Sequence, residues 1–382
     1  MKFSLLLMLA VLISVNFFTK RFSKIKEAFQ YAKPEPATLQ NINCRIVAIA
    51  KNESAYLAEW IFHHLYFGFS SIHVYYNRCN DQTNLYKTIF ANVDNVEIID
   101  GDSFFSQSRG NPQLEVYKYA AKVAEDDGCT HVFFIDIDEF FLPQNLCTTA
   151  NELIAENFPF DSLSLEWLNQ VGDETPFSRV IEEPHVAGIR NRHVKSIYPL
   201  PLPTTRFTAH NVIENNLNTK LVDGSSLKPE DNNLALVPKS ELEKPIKEVF
   251  LLHRFYRSEK EYIALLGRGR PNTKHKLEGS SELKSNRNGY GPFRNAISIQ
   301  LPECKVHEYK NFIYVKMSGA DIQDIVDSGK HFVLDSFKNV LEIIRNSEQR
   351  NFETLIKLLK NVKDKEVVGA FEEYKKKIKN SK

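Results

Sequence analysis

The stretch HVFFIDIDEFF, residues 131–141, combines an apolar run with a group of carboxylates. The run is rich in branched and aromatic side chains and predicts a buried β-strand. Its end carries Asp136, Asp138 and Glu139, and the first two can face the same side of an extended chain. Carboxylates this close to a core are costly unless they are paired or bind a metal ion. A hard divalent cation fits such oxygen ligands, and an acidic turn without a ligand is the alternative.

The segment before this stretch alternates between strand and helix patterns. Strands are predicted at 45–50, 72–76 and 96–99, and helices at 57–68, 85–90 and 112–125. This alternation predicts an α/β fold with a mostly parallel sheet flanked by helices and right-handed crossovers. Ligands of such sheets bind outside the carboxyl ends of the strands. The polar segments 51–53, 77–81 and 136–139 should therefore meet at one edge of the sheet.

The pattern is looser in the second half of the chain. Short strands are predicted at 162–167, 195–198, 208–213 and 249–256, a polar surface loop at 214–245, and a helix from Ser258. From Asp321 onward, apolar residues at helical spacing predict a C-terminal helical extension.

Composition excludes several classes of protein. The chain has 382 residues, 42% of them hydrophobic, so a sizeable core is available. The net charge of +1 gives no reason to expect a nucleic-acid binder. Five scattered cysteines without a CxxC pair argue against a zinc ribbon, and neither GxGxxG nor a P-loop is present.

The N-terminus carries an apolar run at residues 3–18, with basic residues on both sides. We predict a single-pass membrane anchor at 1–19, although a signal peptide or a core helix would give a similar pattern. The charge distribution leaves its topology open. The predicted compartment is the Golgi or endoplasmic reticulum in a eukaryote and the inner membrane in a bacterium. A basic, proline-containing stem follows at 20–43, then a catalytic domain at 44–320 and the helical extension at 321–382.

The carboxylates suit an enzyme that moves a sugar from a nucleotide, because a divalent ion neutralises the departing diphosphate. Asp138 is the predicted direct metal ligand, and Asp136 is predicted to reach the metal or the ribose of the donor. His253 and His210, both at ends of predicted strands, are candidates for a further metal ligand, or else structural histidines. Arg268, in a basic glycine-containing loop, could close over the diphosphate or simply be solvated.

A general base for the acceptor hydroxyl would be a carboxylate near the metal site. Three candidates follow the acidic stretch: Glu166, Asp173 and Glu174. Trp167 could stack on a sugar ring, although an aromatic residue at a strand end is often part of the core.

Several segments in consistent order resemble a known family of enzymes. They are AIAKNESAYLAEW (48–60), FFIDIDEFF (133–141), SLEW (164–167), VKSIYPLP (194–201), TAHNV (208–212) and HRFYRSEKEY (253–262). Over residues 44–270 the chain resembles family-2-like glycosyltransferases of the GT-A fold, close to glycosyltransferase family 92 (DUF23). The resemblance implies a Rossmann-like GT-A domain, a UDP- or GDP-sugar donor, Mn²⁺ or Mg²⁺, and transfer with inversion.

The resemblance also implies roles for individual residues. It gives the metal role to Asp136 and Asp138. It gives contact with the nucleotide to Lys51, Asn52, Glu53 and Asp81. Lys195, His210, His253 and Arg268 are implied as site residues with less defined roles. The sequence departs from the family after Trp167, where it has LNQVGDE in place of a Phe-Gly-Ser type of segment, so the base and the acceptor contacts are not assigned.

The predicted function is transfer of a sugar from a nucleotide-sugar to a hydroxyl of a glycan or glycoconjugate. One alternative is a metal-dependent phosphohydrolase, since a strand followed by Asp-x-Asp also opens the haloacid dehalogenase pattern. There the motif lies on the first strand and continues to Thr or Val, whereas here it follows several strand–helix units and continues to Glu139. The second alternative is a non-catalytic carbohydrate-binding module.

Overall fold

The computed structural model describes residues 42–108, 110–212, 214, 216–228, 235–268, 283–291 and 293–380. They belong to one compact unit. The predicted membrane anchor and nearly all of the predicted stem lie outside the described residues. Among the helices that are described, none has the length and apolar character needed to cross a membrane.

The strands and helices follow in this order. The strands are β1 Cys44–Ala50, β2 Ser71–Tyr76, β3 Val96–Asp100, β4 His131–Phe134, β5 Glu139–Pro143, β6 Ser162–Gln170, β7 His185–Pro199, β8 Thr219–Leu221, β9 Val249–His253 and β10 Ile297–Gln300. The helices are α1 Leu57–Tyr66, α2 Tyr86–Ile89, α3 Asp102–Gln107, α4 Pro112–Asp126, α5 Ala150–Asn157, α6 Glu259–Leu266, α7 Glu303–Met317, α8 Ala320–Asn346, α9 Phe352–Leu358 and α10 Lys365–Asn380.

The sheet has the strand order β3-β2-β1-β4-β7-β6-β9-β5, with β10 beside β7 and β8 beside β6. The first four strands are parallel, and β7 joins β4 in the antiparallel direction. Helices connect the parallel strands, as the alternation of patterns predicted. The prediction of an α/β fold with a mostly parallel sheet flanked by helices is confirmed, and the carboxyl ends of β1, β2 and β4 lie side by side.

The acidic stretch is a strand followed by a reversal of the chain. β4 ends at Phe134, and Glu139 already begins β5, which pairs antiparallel with β9. The reversal is closed at both ends, because Asp136 N–H donates to Glu139 Oε2 (2.8 Å) and Glu139 N–H donates to Asp136 O (3.0 Å). The Trp60 indole N–H donates to the backbone carbonyls of Asp136 (3.2 Å) and Glu139 (2.8 Å). The carboxylates therefore lie on a braced turn and not on a continuous strand.

Of three predictions for the second half, one was correct but too short and two were wrong. The short strand at 195–198 is the end of β7, which is fifteen residues long. No strand forms over 208–212, because the Thr208 hydroxyl accepts hydrogen bonds from His210 N–H and Asn211 N–H and closes a turn. The predicted surface loop at 214–245 contributes β8 and packs buried Leu221, Leu227 and Val237 against Val194.

The C-terminal helices pack on α6. Helix α6 begins with a capping box, in which Ser258 and Glu261 exchange hydrogen bonds. Its buried Tyr262, Ile263 and Leu266 share one apolar cluster with side chains of α8, α9 and α10. Burial of this face holds α8 against the part of the sheet that carries the polar strand ends.

Candidate functional site

Two loops at the sheet edge are tied together by Asp81. One of its carboxylate oxygens accepts from Ser54 N–H (2.9 Å) and the Ser54 hydroxyl (2.6 Å). The other accepts from Thr83 N–H (2.9 Å) and the Thr83 hydroxyl (2.6 Å). The structure therefore places the predicted nucleotide ligand Asp81 as a brace between the loop after β1 and the loop after β2.

The loop after β1 carries Lys51, Asn52 and Glu53, and all three line a pocket of about 210 Å³. Asn52 adopts a left-handed conformation (φ 54°), which asparagine tolerates, and its Oδ1 accepts from Asn80 N–H at 2.7 Å. The predicted convergence of the segments 51–53 and 77–81 is thus observed.

A buried lysine holds the Asp136 side of the turn. Lys195 on β7 is fully buried, and its ammonium lies 2.9 Å from Asp136 Oδ2 and 3.2 Å from Glu139 Oε2. Burial alone would lower the pKa of Lys195, but the two carboxylates outweigh it and raise that pKa above its usual range. Burial raises the pKa of Glu139, and the neighbouring aspartates add to the effect. Lys195 is therefore a permanent cation that fixes Asp136.

Asp138 faces a histidine. Its Oδ2 lies 3.5 Å from His253 Nε2, and the other ring nitrogen, His253 Nδ1, lies 3.1 Å from Asn169 Oδ1. Burial opposes the charge of Asp138, but His253, Arg257 and Arg287 together hold its pKa well below the usual range. Asp138 is thus an ionised carboxylate with a histidine ring on one side.

His210 packs with Trp167 and His193 and does not take part in the contact between Asp138 and His253. Its Nδ1 is 3.1 Å from Val194 O, and its ring centroid is 5.3 Å from those of Trp167 and His193. Burial lowers the pKa of His210 to about 4, and the charge of Lys195 adds to this. Trp167 also contacts His253 (4.4 Å between centroids), so this aromatic group backs the Asp138 site.

Of the four predicted metal ligands, the structure brings Asp138 and His253 together. Asp136 is paired with Lys195, and His210 is packed against Trp167. Within the described ranges, no three His, Cys, Asp or Glu side chains are gathered in a way that could hold a metal ion.

Arg268, the predicted diphosphate ligand, lies beside the loop after β1. Its guanidinium pairs with Glu53 Oε1, and Glu53 Oε2 lies 3.6 Å from Arg257. The remainder of the predicted basic loop, 269–271, lies outside the described residues. A small cavity of about 20 Å³ connects these groups to Asp138, since Glu53, Arg257 and Arg268 line both this cavity and the larger pocket.

Helix α8 forms the opposite wall of the larger pocket, which the sequence analysis did not predict. The wall consists of Phe332, Val333, Ser336, Asn339, Val340 and Ile343. The helical period of residues 321 onward was visible in the sequence, but nothing in it indicated which element the helix would pack against.

The three predicted base candidates have different surroundings. Glu166 is buried and accepts two hydrogen bonds from Arg190 Nη2 (3.0 and 3.1 Å). Asp173 pairs with Arg254, whose backbone N–H donates to Asp138 O at 2.8 Å. Burial raises the pKa of both carboxylates, and their arginine partners oppose this. Glu174 is exposed.

Three cationic residues near Asp138 were not predicted as site residues: Arg257, Lys284 and Arg287. The Arg257 guanidinium lies 3.5 Å from the centroid of the Tyr56 ring, and that of Arg287 lies 3.5 Å from the centroid of the Phe255 ring. Arg257 belongs to the HRFYRSEKEY segment and could have been found there, whereas Lys284 and Arg287 lie in a segment without a motif.

No family model matches the chain, and no curated protein matches it. Solved structures that it is similar to include S. aureus TarS residues 1–349 in complex with UDP, at 12% identity over 89% of this chain and 92% of that one, with a TM-score of 0.29. A longer S. aureus TarS structure shares 18% identity over 37% of this chain, with a TM-score of 0.25. This chain spans about a quarter (24%) of the length of that structure. A 4-diphosphocytidyl-2C-methyl-D-erythritol synthase shares 12% identity over 54% of this chain and 97% of its own, with a TM-score of 0.30. These TM-scores do not establish a shared fold, and we infer function from the residues of this chain.

Proposed function

We propose that this protein is a metal-dependent glycosyltransferase that moves a sugar from a nucleotide-sugar to a hydroxyl of a glycan or glycoconjugate, with inversion. The observation that carries the proposal is the Asp138–His253 pair at the sheet edge, which opens through a small cavity into a pocket lined by cationic residues. Ligands of parallel sheets bind at this edge. Anchoring in a membrane through residues 1–19 is part of the same proposal.

The Asp138–His253 contact suits a divalent cation. If His253 Nδ1–H donates to Asn169 Oδ1, the lone pair of Nε2 faces the Asp138 carboxylate. Two such groups at 3.5 Å repel each other unless a proton or a metal ion lies between them. Asp138 and His253 would therefore hold Mn²⁺ or Mg²⁺, which supplies positive charge to a departing diphosphate.

The other site residues position the substrate and balance charge. Lys195 keeps Asp136 in place, so that its half-exposed carboxylate can accept hydrogen bonds from the ribose of the donor. Lys51 and Arg268 both line the pocket and are placed to bind phosphate oxygens.

We propose Asp173 as the general base among the three candidates. It is linked to the Asp138 turn through Arg254, and burial raises its pKa, which makes it a stronger proton acceptor. We expect Asp173→Asn to lower kcat by about 100- to 10,000-fold with little change in the KM for the donor. Glu174→Gln should retain most of the activity. Equal losses in both variants would contradict the choice of Asp173.

The test of the proposed function is a panel of UDP- and GDP-sugars, assayed for binding and for hydrolysis with and without Mn²⁺. We expect one donor to bind more tightly with Mn²⁺ than without it and to be hydrolysed only with Mn²⁺. Asp138→Asn should reduce turnover about 100- to 1,000-fold while the thermal unfolding transition persists. Failure of every nucleotide-sugar to bind would reject the proposal. Release of phosphate from simple phosphoesters without a sugar acceptor would favour a phosphohydrolase, and full cellular function of Asp138→Asn would favour a binding module.

A further inference from the structure

We propose that Arg257, Arg268, Lys284 and Arg287 form a cationic site that binds the diphosphate of the donor directly, without the metal ion. We call these four residues the cationic cluster. The inference rests on the proposed function, since it names the part of the nucleotide-sugar that this side of the site holds. Of the four residues only Arg268 was predicted from sequence, so the inference adds three residues to the site.

Two residues of the cluster line the cavity next to Asp138, and a third stacks on an aromatic side chain of its wall. Arg257 and Arg268 line both the pocket and the cavity next to Asp138. Phe255 also lines that cavity, and the Arg287 guanidinium stacks on it while donating to Phe255 O at 3.2 Å. Lys284 is fixed by its backbone N–H, which donates to Leu266 O at 2.7 Å. Arg257 from the segment before α6 and Arg268 and Arg287 from the segments after it are thus gathered around one space.

The carboxylates near the cluster do not balance its charge. Three carboxylates line the pocket and the cavity: Glu53, Asp138 and Glu261. The cationic groups are five, namely the four of the cluster and Lys51, which lines the pocket. Glu261 is already occupied, because it accepts hydrogen bonds from Tyr56 OH, from Ser258 and from Phe177 N–H. Positive charge is therefore in excess around a partly enclosed space, and an anion bound there would offset it.

Repulsion within the cluster supports this reading. Burial together with the charges of Arg287 and Arg268 lowers the pKa of Lys284 to about 8. The pKa of Lys51 is lowered as well, by burial and then by Arg268 and Arg78. Lysines whose charged form is disfavoured by neighbouring cations are stabilised when an anion binds between them.

A diphosphate suits this arrangement better than a monovalent anion. Arginine guanidinium groups bind two phosphate oxygens at once, and both Arg257 and Arg268 line the space. The cavity is lined by Asp138, and the larger pocket that shares its arginines is lined by α8. A diphosphate between them would place its sugar towards Asp138 and its nucleoside towards the pocket.

The test measures binding of inorganic pyrophosphate and of UDP by calorimetry, in EDTA and in Mn²⁺, with the full chain. The variants are Lys284→Met, Arg287→Met and Arg268→Met, and Lys122→Met, at an exposed ion pair on α4, is the control. We expect wild type to bind pyrophosphate in EDTA and the Lys284 and Arg268 variants to bind it about 10- to 100-fold more weakly. Circular dichroism identifies a variant that fails to fold, in which case the remaining variants decide.

The outcomes separate this inference from the proposed function. Two results would reject the cationic cluster and leave the glycosyltransferase proposal standing. In the first, UDP binds in Mn²⁺ but pyrophosphate does not bind in EDTA. In the second, the variants bind both ligands as tightly as wild type does. If no nucleotide-sugar binds but pyrophosphate binding is lost in the variants, the anion site stands and the glycosyltransferase proposal is rejected.

Discussion

Lys195 is a cation enclosed by the protein, with no exposed surface, and it faces the carboxylates of Asp136 and Glu139. The Glu139 carboxylate is equally buried, and its Oε1 has no hydrogen-bond partner among the described residues. Its Oε2 accepts from Asp136 N–H, and its charge is balanced by Lys195. The turn that carries Asp138 is therefore held by this ion pair in addition to its backbone hydrogen bonds.

Replacement of Lys195 by Met should destabilise the protein by about 3–5 kcal/mol, because it leaves a buried carboxylate without a partner. Urea unfolding followed by fluorescence measures this loss. The double variant Lys195→Met, Glu139→Gln should recover part of it, since the remaining group is then neutral. Lys122→Met, in an exposed ion pair, should stay within about 0.5 kcal/mol of wild type. A Lys195→Met protein as stable as wild type would show that the pair is not structural.

Lys284 gives the anion site a dependence on pH. The groups that influence its charge are Arg287 and Arg268, which lower its pKa, and Asp138 and Glu53, which oppose this. With a pKa of about 8, Lys284 is charged below pH 8 and loses its charge above it. Bound diphosphate favours the charged form, so affinity should be highest below pH 8 and fall as the pH rises through this value.

Calorimetry with pyrophosphate between pH 7 and pH 9 checks this expectation around the pKa of about 8. The control is Lys284→Arg, which keeps the charge over the whole interval and should show a flatter profile. Because the ligand is the same in both proteins, its own titration cancels in the comparison. Identical profiles for the two proteins would exclude Lys284 as the titrating group.

Residues of the site differ in how far sequence could identify them. Asp138 stands in a local pattern, a strand followed by Asp-x-Asp, and its position at the sheet edge followed from the alternation of strands and helices. His253 was a candidate metal ligand because it ends a predicted strand, and Lys195 entered as a site residue through the resemblance. Arg287 reaches the site because its guanidinium stacks on Phe255, 32 positions earlier in the chain, and no local pattern encodes such a contact.

Helix α8 approaches the loop after β1 more closely than any side chain would allow. A Cβ atom at Gly329 would lie 2.4 Å from Ala55 N and 2.5 Å from Ser54 Oγ. The same loop carries Lys51, Asn52 and Glu53 into the pocket. Glycine at position 329 therefore lets α8 form a wall of the pocket and also pack directly against the loop after β1.

Gly329→Ala should displace α8 from this loop, at a cost of about 1–3 kcal/mol in the free energy of unfolding. We also expect weaker binding of the nucleotide, because the loop and the pocket wall move apart. Thermal unfolding and calorimetry with UDP measure the two effects.

Gly369→Ala is the matched control, since Gly369 lies in α10 and a Cβ there would have nothing within 4 Å. This change should be neutral or stabilising by up to about 1 kcal/mol, because alanine favours a helix interior. Normal stability and UDP binding of Gly329→Ala would show that α8 tolerates displacement.

The elements of the first half followed from local periodicity, and those of the second half depended on distant partners. From β1 to β4, each strand is a short apolar run and each long helix has a clear apolar face. In contrast, β7 runs for fifteen residues and has a bulge opposite Glu166–Trp167. Most residues of its N-terminal half are only partly buried, so its sequence does not alternate simply between apolar and polar residues. Helix α7 was not predicted, although its buried Val306, Tyr309, Ile313 and Met317 recur at helical spacing.

Over the whole molecule, the sheet and the C-terminal helices are joined through α6. Tyr262 OH donates to Leu358 O, and Lys260 pairs with Glu366 at 2.8 Å. The Glu259 carboxylate in the first turn of α6 accepts from Lys363 N–H at 2.8 Å and from Asp364 N–H, just before α10. Polar contacts thus surround the apolar cluster that α6 shares with α8, α9 and α10.

These contacts predict that the domain boundary expected between residues 320 and 321 does not separate two independently folding parts. A fragment of residues 44–320 would expose Tyr262, Ile263 and Leu266, which are now buried, and would lose the α8 wall of the pocket. We expect this fragment to bind the dye ANS, to unfold without a cooperative transition and to bind no UDP. A fragment of residues 44–382 should not bind ANS, should unfold cooperatively and should bind UDP. Cooperative unfolding and UDP binding by the shorter fragment would instead establish the C-terminal helices as an appendage. In that case, the donor site would consist of the sheet edge and α6 alone.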